Sequence, residues 1–452
     1  MATLLLRHAR LLATMDDEGS RYDDGAVLIE DNIIRQVGRT VDLPAEADEI
    51  IDTRDMLLMP GMVNTHHHFY QTLTRATPTS QDATLFDWLR SLYPIWANLT
   101  PEAVYVSTKV AMAELLLSGC TTSSDHHYIW PNGARLDDQI RAAREMGLRF
   151  HAARGSMSVG ESKGGLPPDR VVEDEEAILR DSRRVIEEYH DAARYSMLRV
   201  VLAPCSPFSV SLDLMRESLA LARAYGVTSH THLAETRDED TYCRAHFGHS
   251  PVELAEDLDW VGPDVWHAHV VHPSAKEVKR LGATRTGVAH CPSSNMMIGG
   301  GGIAPVSDFR SAGVPVGLGC DGSASTDSAS LWMEARNAML LGRMRQGPQA
   351  MGARDALEIA TVGSAACLGR TGELGVLAVG AVGDVVCWPL EGVAFAGALT
   401  DPISAWLRCG PLGARHTVVA GRAVVRDGRL VAGGQEEILS RHRAVSARIQ
   451  SV

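Results

Sequence analysis

What the chain lacks narrows it first. Its eight cysteines, Cys120, Cys205, Cys243, Cys291, Cys320, Cys367, Cys387 and Cys409, contain no C-x-x-C pair, so no zinc ribbon and no dithiol redox motif is signalled. Cysteines scattered singly through a chain of this size read as small buried apolar residues in a reducing compartment. Basic residues are in deficit: 43 Lys and Arg against 56 Asp and Glu give a formal net charge of -13 and a pI of about 5.8. Non-specific nucleic-acid binding needs a basic footprint, so that class is excluded. No window approaches a membrane span, and Arg7 and Arg10 break the first apolar run too early for a signal peptide. A cytoplasmic protein with neither nucleic-acid nor membrane partners is expected. Asn98-Leu99-Thr100 fits the glycosylation pattern, but in such a protein the match reads as chance.

Several catalytic signatures are missing too. There is no H-E-x-x-H helix and no P-C-x-x-C, which excludes the small cytidine-deaminase type. No G-x-G-x-x-G follows the first strand of the middle region, which argues against a doubly wound dinucleotide fold. Gly299-Gly300-Gly301-Gly302 lacks the Lys and Ser/Thr of a phosphate loop and reads as a flexible connection.

What is present fits a large soluble globular protein. With 452 residues, 45% of them hydrophobic and 22% charged, the chain suits one large α/β barrel plus an accessory domain. Residues 3–14 read as a strand and 25–38 as a hairpin about Asp31-Asn32; 384–388 and 417–425 look similar near the other end. A composite β-sandwich of residues 1–57 plus 373–452 is expected. Between them, 58–372 alternates strands with helices: strands at 60–65, 120–125, 148–154, 198–203, 227–232, 265–269, 286–290 and 314–319 make a (β/α)8 TIM barrel. Thr100-Pro101 opens one helix with a cap and a first-turn proline, and Gly119 ends it. Residues 71–98 read as a long loop carrying Phe86, Trp88, Tyr93 and Trp96.

Chemistry in such a barrel gathers where the strands end. Histidine recurs there: His66 and His68, His126 and His127 beside Asp125, His230 and His232, His267, His269 and His272, then His290. Arg154, Cys205, Glu235 and Asp321 stand at further ends. Packing explains one such histidine but not so many. Neutral imidazoles and a carboxylate are ligands for zinc or iron. No lysine stands at the fourth strand end to bridge a second ion, so one ion is preferred. Both members of an H-x-H pair face the same way, so spacing leaves open which of them ligates.

Pro60-Gly61-Met62-Val63-Asn64-Thr65-His66-x-His68, His232-Leu233-Ala234-Glu235, Ala268-His269-x-Val271-His272, His290-Cys291-Pro292-Ser293-Ser294-Asn295 and Gly319-Cys320-Asp321-Gly322 together resemble the amidohydrolase superfamily, in its mononuclear deaminase and chlorohydrolase branch. The resemblance implies one divalent metal, zinc ahead of iron, on His66, His68, His232 and Asp321. It implies hydrolytic deamination by a metal-activated water, with Asp321 taking the water's proton, His269 holding the water and Glu235 protonating the ring nitrogen. Arg154 to Ser162, Gly164 to Pro168, Asp125 to Tyr128 and Ala203 to Phe208 are similar to the 8-oxoguanine deaminases, and also to the hydroxyatrazine ethylaminohydrolases. Related nucleoside deaminases usually carry histidine where Cys205 stands, which points to a free base. The small-molecule partner is therefore a heterocyclic base, 8-oxoguanine first, then isoguanine or guanine, then an s-triazine. Gln71, Trp88, Arg154 and Cys205 are the candidate contacts to it. The branch implies a homo-oligomer, dimer or larger. His67, His126 and His127 receive no role.

Overall fold

The computed structural model describes residues 2–451. Five strands open the chain: β1 (Thr3–Ala13), β2 (Arg21–Glu30), β3 (Ile33–Arg39), β4 (Glu49–Asp52) and β5 (Met56–Pro60). Then come β6 (Met62–Asn64), β7 (His67–His68), β8 (Cys120–His127), β9 (Arg149–Ser156), β10 (Leu198–Pro204), β11 (Thr228–Leu233), β12 (Val265–His269), β13 (Gly287–His290), β14 (Val316–Leu318) and β15 (Asp321–Gly322). Near the other end lie β16 (Val385–Pro389), β17 (His416–Val419), β18 (Arg422–Arg426) and β19 (Arg429–Leu430). Strands β6 and β8 to β14 close an eight-stranded parallel barrel in the order β10-β11-β12-β13-β14-β6-β8-β9.

The strands from both ends form one nine-stranded sheet. β5 joins the two ends: it runs parallel to β1 and antiparallel to β16, with Pro60 opposite Val385. β1 serves two neighbours along one edge. His8 adopts a φ of 67°, the register breaks there, and Leu4–Arg7 pair with β4 while Leu11 and Leu12 pair with β5. The Pro60-Gly61 step then carries the chain from sheet to barrel. Gly61 donates to the Asp384 carbonyl at 3.0 Å, and a Cβ on it would lie 2.2 Å from the Thr121 side chain. Only glycine allows that approach, and the strand expected at 60–65 is split there between β5 and β6.

Period two sorts the barrel strands. Ala153, Val201, Ala203 and Trp266 pack together inside, with Val63 and Ala289. Phe150, Ala152, Leu202 and Val288 face the surrounding helices in the main core. Helix Pro101–Leu117 begins as expected: Thr100 Oγ1 accepts from the Ala103 N–H at 3.2 Å, with Pro101 in the first turn.

Two expectations need correction. The segment read as a loop at 71–98 contains helix Leu85–Trp96. Its Leu85, Trp88, Leu89, Leu92 and Tyr93 bury an apolar face, which outweighs the proline at position 94. The last part of the chain was expected within the β-rich unit, but Gln435–Gln450 is a helix on the barrel. Val445 and Ile449 pack into the cluster above the barrel mouth, and Ser446 and Gln450 each donate to the Leu73 carbonyl at 2.7 Å.

A buried ion pair ties the barrel to the sheet of the two ends. Arg149 of β9 bonds Asp384, just before β16, and neither side chain is more than 3% exposed. Replacing Asp384 with alanine strands a buried guanidinium and should lower unfolding free energy by about 3–5 kcal/mol in denaturant titration. Breaking the exposed Arg180–Glu176 pair by Glu176→Ala should change it by no more than about 0.5 kcal/mol.

Candidate active site

Four side chains converge at the barrel mouth. His66 and His68 follow β6, His232 lies on β11, and Asp321 opens β15. Asp321 Oδ1 is 3.3 Å from His66 Nε2 and 3.2 Å from His68 Nε2, and His68 Nε2 is 3.1 Å from His232 Nε2. Four donors held at about 2.0–2.1 Å around a tetrahedral ion stand about 3.3–3.4 Å apart. The arrangement thus fits one divalent cation, and the buried His66 Nε2 has no hydrogen-bond partner among the described residues.

The opposite nitrogen of each ring explains why the Nε2 atoms face inward. His68 Nδ1 donates to the His126 carbonyl at 2.6 Å, and His232 Nδ1 to the Cys205 carbonyl at 2.7 Å. His230 Nδ1 donates to the Trp266 carbonyl at 2.8 Å, so its Nε2 is an acceptor and takes the proton of His66 Nδ1 at 2.8 Å. A carbonyl can only accept, so each ring of the cage, when neutral, presents the lone pair of its Nε2. Burial lowers the His68 imidazole, but the adjoining Asp321 carboxylate outweighs it and raises it overall. Burial pushes the His66 imidazole well down and that of His232 to about 3, which keeps both neutral. His230 and His232, equivalent by spacing, are thereby separated: His232 joins the cage and His230 orients His66. His267 is separated from His269 in the same way, since its Nε2 bonds the Trp260 carbonyl at 3.0 Å.

Glu235 and His269 stand beside the cage. His269 Nδ1 donates to Asn295 Oδ1 at 2.9 Å, leaving Nε2 3.7 Å from Glu235 Oε2 and 3.8 Å from Asp321 Oδ2. Burial, with the charge of Asp321, pushes the Glu235 carboxyl up to about 8, so it carries a proton at neutral pH. The backbone here is strained: Ala234, His269, Val270 and Asp321 all adopt positive φ, between 44° and 72°.

Above these groups lies a narrow cavity lined by His68, Gln71, His232, Glu235, His269 and Asp321 among others. Trp88, Tyr93, Tyr128 and Phe208 give it flat walls, and no Lys or Arg lines it. Trp88 Nε1 is tied to the Ala324 carbonyl at 3.1 Å, leaving its ring as wall. Gln71 Oε1 accepts from the Ala324 N–H at 3.3 Å, while its Nε2, buried in the lining, has no partner among the described residues. Cys205 also lines the cavity, and burial pushes its thiol up to about 12, so it stays protonated. A larger surface cleft, lined by Asp31, Asp48, Arg144 and Arg422 among others, contains none of these groups.

His66, His68, His232, Asp321, Glu235, His269, Gln71, Trp88 and Cys205 are thus brought together. Arg154 is not. It shares its side of β9 with Phe150 and Ala152, faces the helices, and pairs with Glu173 and Asp181 at 2.7 Å each while lying over the Trp130 ring. The alternation that puts Ala153 inside the barrel puts Arg154 outside. His67 takes no place in the cage: its Nδ1 accepts from the His68 N–H at 2.8 Å. His126 supplies a carbonyl to His68, and His127 stacks on Trp130. Sequence reasoning gave no role to His230 or Asn295, whose function lies in hydrogen bonds across the fold. Asp125 pins the chain after His68 by accepting from the Phe69 N–H at 2.6 Å.

Replacing His230 with alanine should weaken metal binding by about 10–100-fold in chelator competition, because His66 loses the partner that sets its tautomer. His267→Gln should leave metal content unchanged in the same assay.

The amidohydrolase family model matches residues 57–431. An 8-oxoguanine deaminase of Pseudomonas aeruginosa is 44% identical over 428 residues, which cover 94% of this chain and 95% of that protein. A hydroxydechloroatrazine ethylaminohydrolase of Pseudomonas sp. (strain ADP) is 37% identical over 449 residues, covering 95% and 92%. The crystal structure of an atrazine chlorohydrolase from Arthrobacter aurescens TC1, complexed with zinc, aligns with a TM-score of 0.92 at 32% identity over 98% of this chain and 100% of that one. Matches that run along nearly the whole length make this chain a member of the amidohydrolase family, a metal-dependent hydrolase of carbon–nitrogen bonds.

Proposed function

We propose that the chain hydrolytically deaminates a free oxidised purine base, 8-oxoguanine first. The observation that carries this reading is the cavity itself. It is walled by flat rings, holds a protonated carboxyl and a free amide donor next to the cage, and has no cationic side chain. A phosphorylated nucleotide would need Arg or Lys there; an uncharged planar base does not. The 44% identity to an 8-oxoguanine deaminase supports the same substrate.

His66, His68, His232 and Asp321 would hold the ion, zinc by preference, since a structural relative carries zinc and imidazole–carboxylate sets suit it. When bound, such an ion acidifies a coordinated water toward neutrality and so supplies the nucleophile. The protein's own groups do the rest. Gln71 Nε2 donates to an acceptor on the base, and the Trp88 and Tyr128 rings lie against its faces. Glu235 carries its proton to the ring nitrogen next to the amino-bearing carbon, which leaves that carbon open to attack. Asp321 and His269 receive and hold one of the water's protons until it leaves with ammonia, and the other returns to Glu235 as the new carbonyl forms. Net, the ring carbon exchanges an amino group for oxygen: base plus water gives the oxo base plus ammonia. Cys205, a protonated thiol, acts as a neutral contact and not as a nucleophile.

A second reading is an s-triazine hydrolase that releases an alkylamine or halide. The 37% identity to an ethylaminohydrolase favours it, and it would use the same cage. Ammonia release from 8-oxoguanine, isoguanine, guanine and hydroxyatrazine, with alkylamine followed in parallel, decides between them. Turnover of 8-oxoguanine is expected; its absence sinks the first reading. Glu235→Gln should keep one metal per chain while kcat drops about 10²–10⁴-fold. Undiminished turnover in that variant would remove Glu235 from the mechanism.

A further inference from the structure

Glu239 is buried, 0% exposed, two residues into helix Arg237–Phe247. Thr236 precedes this helix, so Thr236-x-x-Glu239 has the form of a capping box, in which the glutamate reaches back to the N–H of the capping residue. The structure does something else. The Thr236 side chain makes no cap, and its buried Oγ1 has no partner among the described residues. Glu239 reaches one and two residues further: its Oε2 accepts from the Glu235 N–H at 2.8 Å and its Oε1 from the Ala234 N–H at 3.0 Å. The helix gives up its own cap, and the carboxylate serves the turn before it.

That turn carries Glu235. Ala234 sits in the left-handed region, with φ of 52°. For a residue with a Cβ this conformation is disfavoured relative to the ordinary basin, because Cβ crowds the following carbonyl oxygen. From the other side, the Ala234 carbonyl accepts from the Val271 N–H at 2.9 Å and the His272 N–H at 3.2 Å, just past His269. The Ala234 peptide is thus gripped on both sides, and one grip is a side chain whose oxygens find no other hydrogen-bond partner among the described residues.

We propose that Glu239 is a positioning residue: its carboxylate clamps the left-handed Ala234–Glu235 turn and so aims the Glu235 carboxyl at the substrate beside His269. This rests on the role given to Glu235 above, but the clamp itself can be read without any substrate. In Glu239→Gln one oxygen is replaced by an N–H₂ facing an N–H, so one of the two bonds is lost. Hydrogen–deuterium exchange should show the Ala234 and Glu235 amides protected in the parent protein and at least about tenfold less protected in the variant. Equal protection in both overturns the clamp, whatever the enzyme acts on.

Kinetics then tests positioning against mere support, on whichever base of the panel is turned over. Glu239→Gln should keep its metal and melting temperature and its KM, with kcat about tenfold or more lower. Unchanged kcat overturns the proposal, and so does lost metal or a kcat loss matched by a lower melting temperature. Adding Ala234→Gly, which removes the cost of positive φ, should recover part of the lost kcat; no recovery also counts against it. Should Glu239→Gln not accumulate as folded protein, Glu239→Asp keeps the charge, shortens the reach and carries the same measurements. Failure to turn over any base in the panel would sink the substrate reading and leave the exchange result standing.

Discussion

One constraint governs the site: buried imidazoles must each present a lone pair to the same point. Water cannot set their tautomers, because the rings are almost wholly buried. The protein does so with acceptors that allow one answer, the carbonyls of His126, Cys205 and Trp266. His66 is held at one remove, through His230. A histidine that faces only a carbonyl has no choice of tautomer, and three rings with no choice make a cage before any ion arrives.

The larger architecture serves that constraint. The carbonyls come from barrel strands or their ends, where backbone positions are least free. Gly61 passes the chain from the sheet of the two ends into the barrel, and His66 stands five residues later. Asp125 fixes the turn after His68, and Asn295 fixes His269. Positive φ angles at Ala234, His269, Val270 and Asp321 show where backbone comfort yields to aiming of side chains. Glu239 meets part of that cost at Ala234, in place of an ordinary helix cap.

Much of this was legible beforehand. The alternation of strands and helices, the β-rich ends and the histidines at strand ends all follow from local patterns with short periods. Errors arose where two local signals disagreed or where a partner was distant. Residues 71–98 read as a long loop, yet the apolar face of Leu85–Trp96 prevailed over Pro94 because it had a cluster to cover. Arg154 looked like a substrate contact because it ends a strand. Counting by twos from Phe150 would have turned it outward, toward Glu173 and Asp181.

The sequence by itself determined the fold class, the supply of metal-binding groups and the resemblance that led to the family, since each depends on residue type and spacing along the chain. Spacing left His230 and His232, and His267 and His269, equivalent; the resemblance chose between them, and only the tertiary structure gave the physical reason. Both members of each pair share a face, and what distinguishes them is which carbonyl or ring stands opposite. The same holds for Gln71, whose free Nε2 exists because the Ala324 backbone occupies its oxygen, and for Glu239, whose two bonds skip its own helix cap. A hydrogen bond between residues far apart in sequence leaves no trace in their spacing; it becomes definite only when the barrel closes and the acceptor is there.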